Sequence, residues 1–170
     1  MLRPAKGVNG KAATIVTRMA NLVLQSASKT EQLCYVVLDA YFSTGPMFQI
    51  LRTAIIEDSQ QLVHIITRAK KNYVGFLDRE FSTKKYDDDD KFALMDWFDF
   101  PEFFTTAQLS TYGKSKTIEY TCVDLLWRPI DDFVRFVCIK DGDGKYVLIC
   151  SDLNLSPIDI ITIYSYRSKI

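Results

Sequence analysis

Two apolar runs separated by one helical segment limit what this chain can fold into. Tyr35-Val36-Val37-Leu38 leads into Asp39, and Leu62-Val63-His64-Ile65-Ile66-Thr67 leads into Arg68. Both runs are short, rich in β-branched residues and apolar on both parities, which is the pattern of strands covered on both faces. Between them, Ser43 to Asp58 reads as a helix with Phe48, Leu51, Ile55 and Ile56 on one face. Strand, helix and strand in this order predict a right-handed βαβ unit with parallel strands. In such a unit the C-terminal ends of both strands lie at one edge of the sheet, where ligands bind. Asp39 and the basic end formed by Arg68, Lys70 and Lys71 therefore belong at one edge.

The last fifteen residues give the second constraint. Ser156 suits an N-cap, Pro157 the first helical position and Asp159 the third, so a helix starts at Pro157. No Gly, Asn or Pro interrupts it before Ile170. Tyr164 and Arg167 are three apart and share one of its faces.

An apolar strand ending in Asp39, a helix, a strand ending near Arg68 and Lys70, and later Tyr164 with Arg167 form an ordered set. It resembles the DDE transposases of the insertion-sequence-4 group. That family carries Tyr, two residues, Arg, three residues and Glu on its last catalytic helix, and Tyr164 and Arg167 match the first two positions. Asp39 matches the second catalytic aspartate. The resemblance places the third acid directly after Ile170 and the first upstream of Asp39, where residues 1–38 hold one acid, Glu31. It thus implies a fragment that carries one of three metal ligands and does not cleave DNA alone.

The resemblance implies a partial ribonuclease-H-like α/β core, with residues 1–80 a portion of it. Residues 81–151 would be an inserted β-rich region and 152–170 the start of the C-terminal catalytic helix. It also implies Mg²⁺ or Mn²⁺ as cofactor, with Asp39 a catalytic metal ligand. Arg68, Lys70, Tyr164 and Arg167 would contact DNA. The partner would be double-stranded DNA at transposon ends, met by a homodimer in a synaptic complex. The setting would be the bacterial cytoplasm, associated with the nucleoid when bound to DNA. Such chemistry uses two divalent metals about 3.5–4 Å apart, held by hard oxygen ligands.

Other readings of the same residues stay open. Asp39 suits the role of a cap for the following helix. Tyr164 and Arg167 suit an ordinary amphipathic pair, and Arg68, Lys70 and Lys71 a solvated strand end. Asp152 follows the apolar run ending at Cys150 and would complete a two-carboxylate nuclease with Asp39, although a loop residue is the plainer reading. A non-catalytic remnant that binds DNA or protein is a further alternative. His64, the single histidine, has no histidine partner for metal or base chemistry.

Composition bounds these readings. With 170 residues and 48% hydrophobic content, one substantial core is expected. The formal net charge is zero, so the whole-chain basic balance usual for nucleic-acid binders is missing. Locally, six cations between Arg68 and Lys85 face two acids, and Asp87 to Asp90 cancel them in the sum. Those four acids read as a solvated run. Cys34, Cys122, Cys138 and Cys150 sit in apolar runs without a C-x-x-C pair and read as buried thiols of a reducing compartment. No 18-residue apolar run signals a membrane span.

Elsewhere, residues 1–10 read as a lead-in. Lys11 to Ala27 reads as a helix over the sheet, with Ile15, Met19, Leu22 and Val23 facing inward. Asn72 to Leu77 reads as a short strand, and Asp78 to Asp90 as a solvated loop. Phe92 to Phe104 is dense in aromatics, with Pro101 interrupting any helix. Thr117 to Leu126, Phe133 to Ile139 and Lys145 to Cys150 form an antiparallel meander, the last two strands joined at Asp141-Gly142-Asp143-Gly144.

Overall fold

The computed structural model describes residues 14–30, 32–56, 60–78 and 84–169. The expected lead-in at residues 1–10, the start of the first helix at 11–13, Glu31, the end of the second helix at 57–58 and part of the acidic loop lie outside these ranges.

The fold is mixed α/β. Its strands are β1 (Cys34–Leu38), β2 (Val63–Arg68), β3 (Val74–Phe76), β4 (Lys91–Ala93), β5 (Thr105–Thr111), β6 (Lys114–Trp127), β7 (Asp132–Asp141) and β8 (Gly144–Cys150). They join in one sheet ordered β1-β2-β8-β7-β6-β3-β4, with β5 paired to β6. β1 and β2 pair in parallel with Leu38 opposite Thr67, as the two apolar runs predict. β8 then pairs antiparallel with β2, so the meander β6-β7-β8 continues the same sheet as the βαβ unit. The residues expected as a core portion at 1–80 and a β-rich region at 81–151 thus share one sheet.

The helices are α1 (Ile15–Ala27), α2 (Gly45–Leu51) and α3 (Pro157–Ser165). One face of the sheet packs Ile65, Val134, Phe136 and Ile149 with Met47, Phe48 and Leu51 of α2. The other packs Ile66, Val137, Ile139 and Leu148 with Leu109 of β5 and Ile160 and Ile161 of α3. β2, β7 and β8 are covered on both sides, which explains their near-continuous apolar sequence.

Several details differ from the sequence reading. β1 is the sheet's edge, and all five of its residues are half-buried. α2 ends at Leu51, because Thr53 Oγ1 bonds the Ile50 carbonyl and Ile55 turns out to bridge Gln61. Ile55 is 59% exposed, off the expected helix face. α1 packs on α2, burying Ala20 and Ala27 with Val16, Met19 and Val23 against the core, while Ile15 and Leu22 face out. The acidic run is not wholly solvated either: Asp90 is 4% exposed, and its carbonyl accepts from the Leu77 amide. No helix among the described residues is long and apolar enough to cross a membrane.

Candidate functional site

Asp39 sits where β1 ends. Its backbone carbonyl accepts from Thr67 Oγ1 at 3.0 Å, and Thr67 is fully buried, so the end of β1 is tied to the end of β2. Its side chain caps the single 3-10 turn Ala40–Phe42, accepting from the Tyr41 amide at 3.2 Å. Asp39 is thus a cap, of this short turn rather than of α2, whose N-cap is Thr44, and the role uses one carboxylate oxygen. The other oxygen accepts from Arg167 Nη2, across 128 residues of sequence.

Arg167 reaches Asp39 because of how α3 is built. Ser156 accepts from the Asp159 amide at 3.1 Å, so the helix starts where the sequence predicts. Ile160 and Ile161 seat it on the sheet. Near its end, Thr162 bonds the Ile158 carbonyl and Ser165 the Thr162 carbonyl. The chain then tightens into a 3-10 turn, Tyr166–Lys169, rather than continuing as α-helix. A tighter turn brings residues three apart into line, and Arg167 Nη1 donates to Tyr164 Oη at 3.1 Å.

The ion pair is half-exposed, with Arg167 35% and Asp39 58% open. The Arg167 hydrogen bond, then the Tyr41 amide, hold the Asp39 carboxyl below its usual range. Partial burial works against the Arg167 charge, but the bond to Asp39 and the field of Tyr164 and Asp39 outweigh it and raise its pKa. Both groups are therefore charged at neutral pH.

Arg68 ends β2 on the same edge, one register step past the pair Leu38 and Thr67. Its guanidinium lies 4.9 Å from the centre of the Tyr146 ring, a cation-π contact that aims it over β8. Burial raises the Tyr146 hydroxyl to about 12, with smaller opposed effects that include Tyr164 and Arg68. Lys70 is exposed in the turn just beyond, its carbonyl accepting from the Tyr73 amide. Asp39, Tyr164 and Arg167 thus meet directly, Arg68 lies beside them, and Lys70 points to solvent without joining the cluster.

Asp152 does not join it. β8 runs against β2, with Leu148 opposite Arg68 and Cys150 opposite Ile66, so Asp152 lies toward the strands' beginnings. It accepts from Tyr35 Oη at 2.6 Å and from the Asn154 amide at 2.8 Å. Tyr35 precedes Asp39 by four residues, about 13 Å along a strand, so Asp39 and Asp152 do not form one carboxylate pair. Burial works to raise the Asp152 carboxyl, but the bonds from Tyr35 and Asn154 and the nearby His64 bring it below its usual value. His64 stacks on the Tyr35 ring at 5.8 Å and meets Ser151 Oγ at 3.2 Å. Burial depresses its pKa, with Asp152 opposing. Asp152 is thus a loop anchor, the plainer of its two sequence readings.

No group of three or more His, Cys, Asp or Glu comes together to hold a metal among the described residues. Among the described residues Asp39 is the single acid in its cluster, and it is engaged by Arg167 and Tyr41. The described residues therefore do not by themselves make a site for Mg²⁺ or Mn²⁺.

Sequence reasoning missed Tyr146, Thr67, Tyr112 and Tyr166 around this cluster. Only Tyr146 left a signal, as an aromatic near the start of an otherwise aliphatic strand. A scan of protein-family models and a search of curated protein sequences found no match to the chain.

Proposed function

We propose that this chain is a catalytic-core portion of a DDE transposase of the insertion-sequence-4 kind, acting on duplex DNA at transposon ends. A ribonuclease-H-like core is part of the proposal. It is supported by the parallel β1–β2 pair joined through α2. The observation that carries the proposal is the convergence of Asp39 with Tyr164 and Arg167. Asp39 at the end of β1 and Arg167, held by Tyr164 at the end of α3, meet at one sheet edge.

Each residue has a role in this reading. Arg167 is the phosphate contact: its planar fork has five donors, and its bonds to Tyr164 and Asp39 use two of them. Tyr164 sets the fork's orientation. Arg68 and Lys70 extend the positive edge along the DNA backbone. Asp39 supplies one carboxylate to a divalent-metal site whose other ligands the described residues do not provide.

A second reading is a DNA-binding remnant without catalysis. The engagement of Asp39 by Arg167 favours it, because a carboxylate neutralised by a guanidinium is a poorer metal ligand. Mg²⁺-dependent plasmid nicking that Asp39→Ala abolishes would exclude it.

Duplex binding tests what the two readings share. Fluorescence anisotropy with a duplex oligonucleotide, between about 50 and 200 mM salt, should give a log-linear fall in affinity. Arg167→Ala should weaken binding across sequences and reduce the salt slope by about one. An unchanged slope, or no binding at the lowest salt, contradicts the proposal.

A further inference from the structure

The tip of the β5–β6 hairpin carries a tyrosine in a backbone conformation that tyrosine rarely adopts. Thr111 pairs with Lys114, leaving Tyr112 and Gly113 as the two turn residues. Their φ angles are 51° and +71°. A two-residue turn with both φ positive favours Asn, Asp or Gly at its first position, and a residue with a bulky side chain there is strained. Tyr112 is also 53% exposed, so core burial does not account for it.

What the strained position gains is contact with the C-terminal turn. The Tyr112 and Tyr166 rings meet edge to face, 5.3 Å between centroids and 83° between planes. Tyr112 Oη donates to the Tyr166 carbonyl at 3.1 Å, at the point where α3 gives way to the 3-10 turn. Tyr166 is the residue before Arg167, and β5 already packs on α3. We infer that Tyr112 is a positioning residue: it clasps the turn at Tyr166 and thereby holds the Arg167 fork on Asp39 and Tyr164. This rests on the reading of the Asp39–Arg167 pair as the functional centre.

The clasp is tested without DNA and at one pH, by following the hydrogen exchange of the Arg167 guanidinium protons by NMR. Tyr112→Asn suits the positive φ and removes the ring and hydroxyl, while Tyr112→Phe keeps the ring alone. With the clasp lost, Arg167 spends less time bonded to Asp39 and Tyr164, and its guanidinium protons should exchange with water several-fold faster. Tyr112→Phe should give part of that rise. The thermal midpoint of Tyr112→Asn should stay within about 2 °C of the parent or rise. Arg167 exchange unchanged in Tyr112→Asn overturns the inference. Tyr166→Ala removes the ring that Tyr112 meets, and unchanged exchange there overturns it equally. Loss of duplex binding by the parent chain would sink the DNA reading and leave this result standing, so the two failures are separable.

Discussion

Phe136→Ala should lower the unfolding free energy by about 3–5 kcal/mol, the cost of removing a large buried aromatic and leaving a cavity. Phe136 is fully buried on β7, between Val123 of β6 and Ile149 of β8. It lies on the face that α2 covers, in the middle of the sheet, where neighbours on both strands are fixed by hydrogen bonds and collapse least. Against a total of about 5–15 kcal/mol for an ordinary domain, this loss is large. It should appear in urea denaturation as a lower midpoint with an unchanged slope. Leu22→Ala, on the outer face of α1 at 57% exposure, should change stability by less than about 0.5 kcal/mol. A Phe136→Ala cost below about 1 kcal/mol would mean that the two faces of the sheet are not packed as described.

Gly45→Ala should cost about 2–3 kcal/mol, near the upper end of overpacking effects. A Cβ at Gly45 would lie 2.6 Å from the Pro129 carbonyl oxygen and 2.9 Å from Pro129 Cβ. Backbone and a proline ring cannot rotate aside, so the start of α2 would have to move. That start is three residues downstream of the capped turn at Ala40–Phe42, and the Tyr73 hydroxyl donates to the Ser43 carbonyl between them. Displacing it loosens the segment that follows Asp39. Gly113→Ala is the contrast: nothing lies within 4 Å of its Cβ, and only the positive φ opposes it, a cost of about 1 kcal/mol. Equal losses at the two glycines would show that close approach to Pro129 is not what fixes Gly45.

The parts of the fold legible in the sequence are those where local chemistry and tertiary environment agree. The runs before Asp39 and Arg68 read as strands because they are covered on both faces or lie along a covered sheet. α3 read correctly because Ser156, Pro157 and Asp159 encode its start. The hairpin at Asp141–Gly144 read correctly because Gly142 takes a φ of 58°. β5 was not legible: Thr105, Thr106, Gln108 and Ser110 dilute its pattern, and only Leu109, 3% exposed, reports its burial under α3. The inward face of α1 was legible in part: Met19 and Val23 pack against the core as expected, while packing on α2 selects Val16, Ala20 and Ala27 over Ile15 and Leu22. The meeting of Asp39 with Arg167 has no local signature, since they stand 128 positions apart in the sequence. Nothing in the sequence pointed to Tyr112, whose partner is set by the length and twist of a hairpin.

The most direct measurement is a heteronuclear NMR titration of the chain with a short duplex oligonucleotide at low salt. The account predicts that perturbed resonances cluster at one sheet edge, at Asp39, Arg68, Lys70, Tyr164 and Arg167. The Tyr35, His64 and Asp152 resonances at the strands' other ends should stay in place. Perturbations centred on that opposite end, or a spectrum that duplex DNA leaves unchanged, would contradict it.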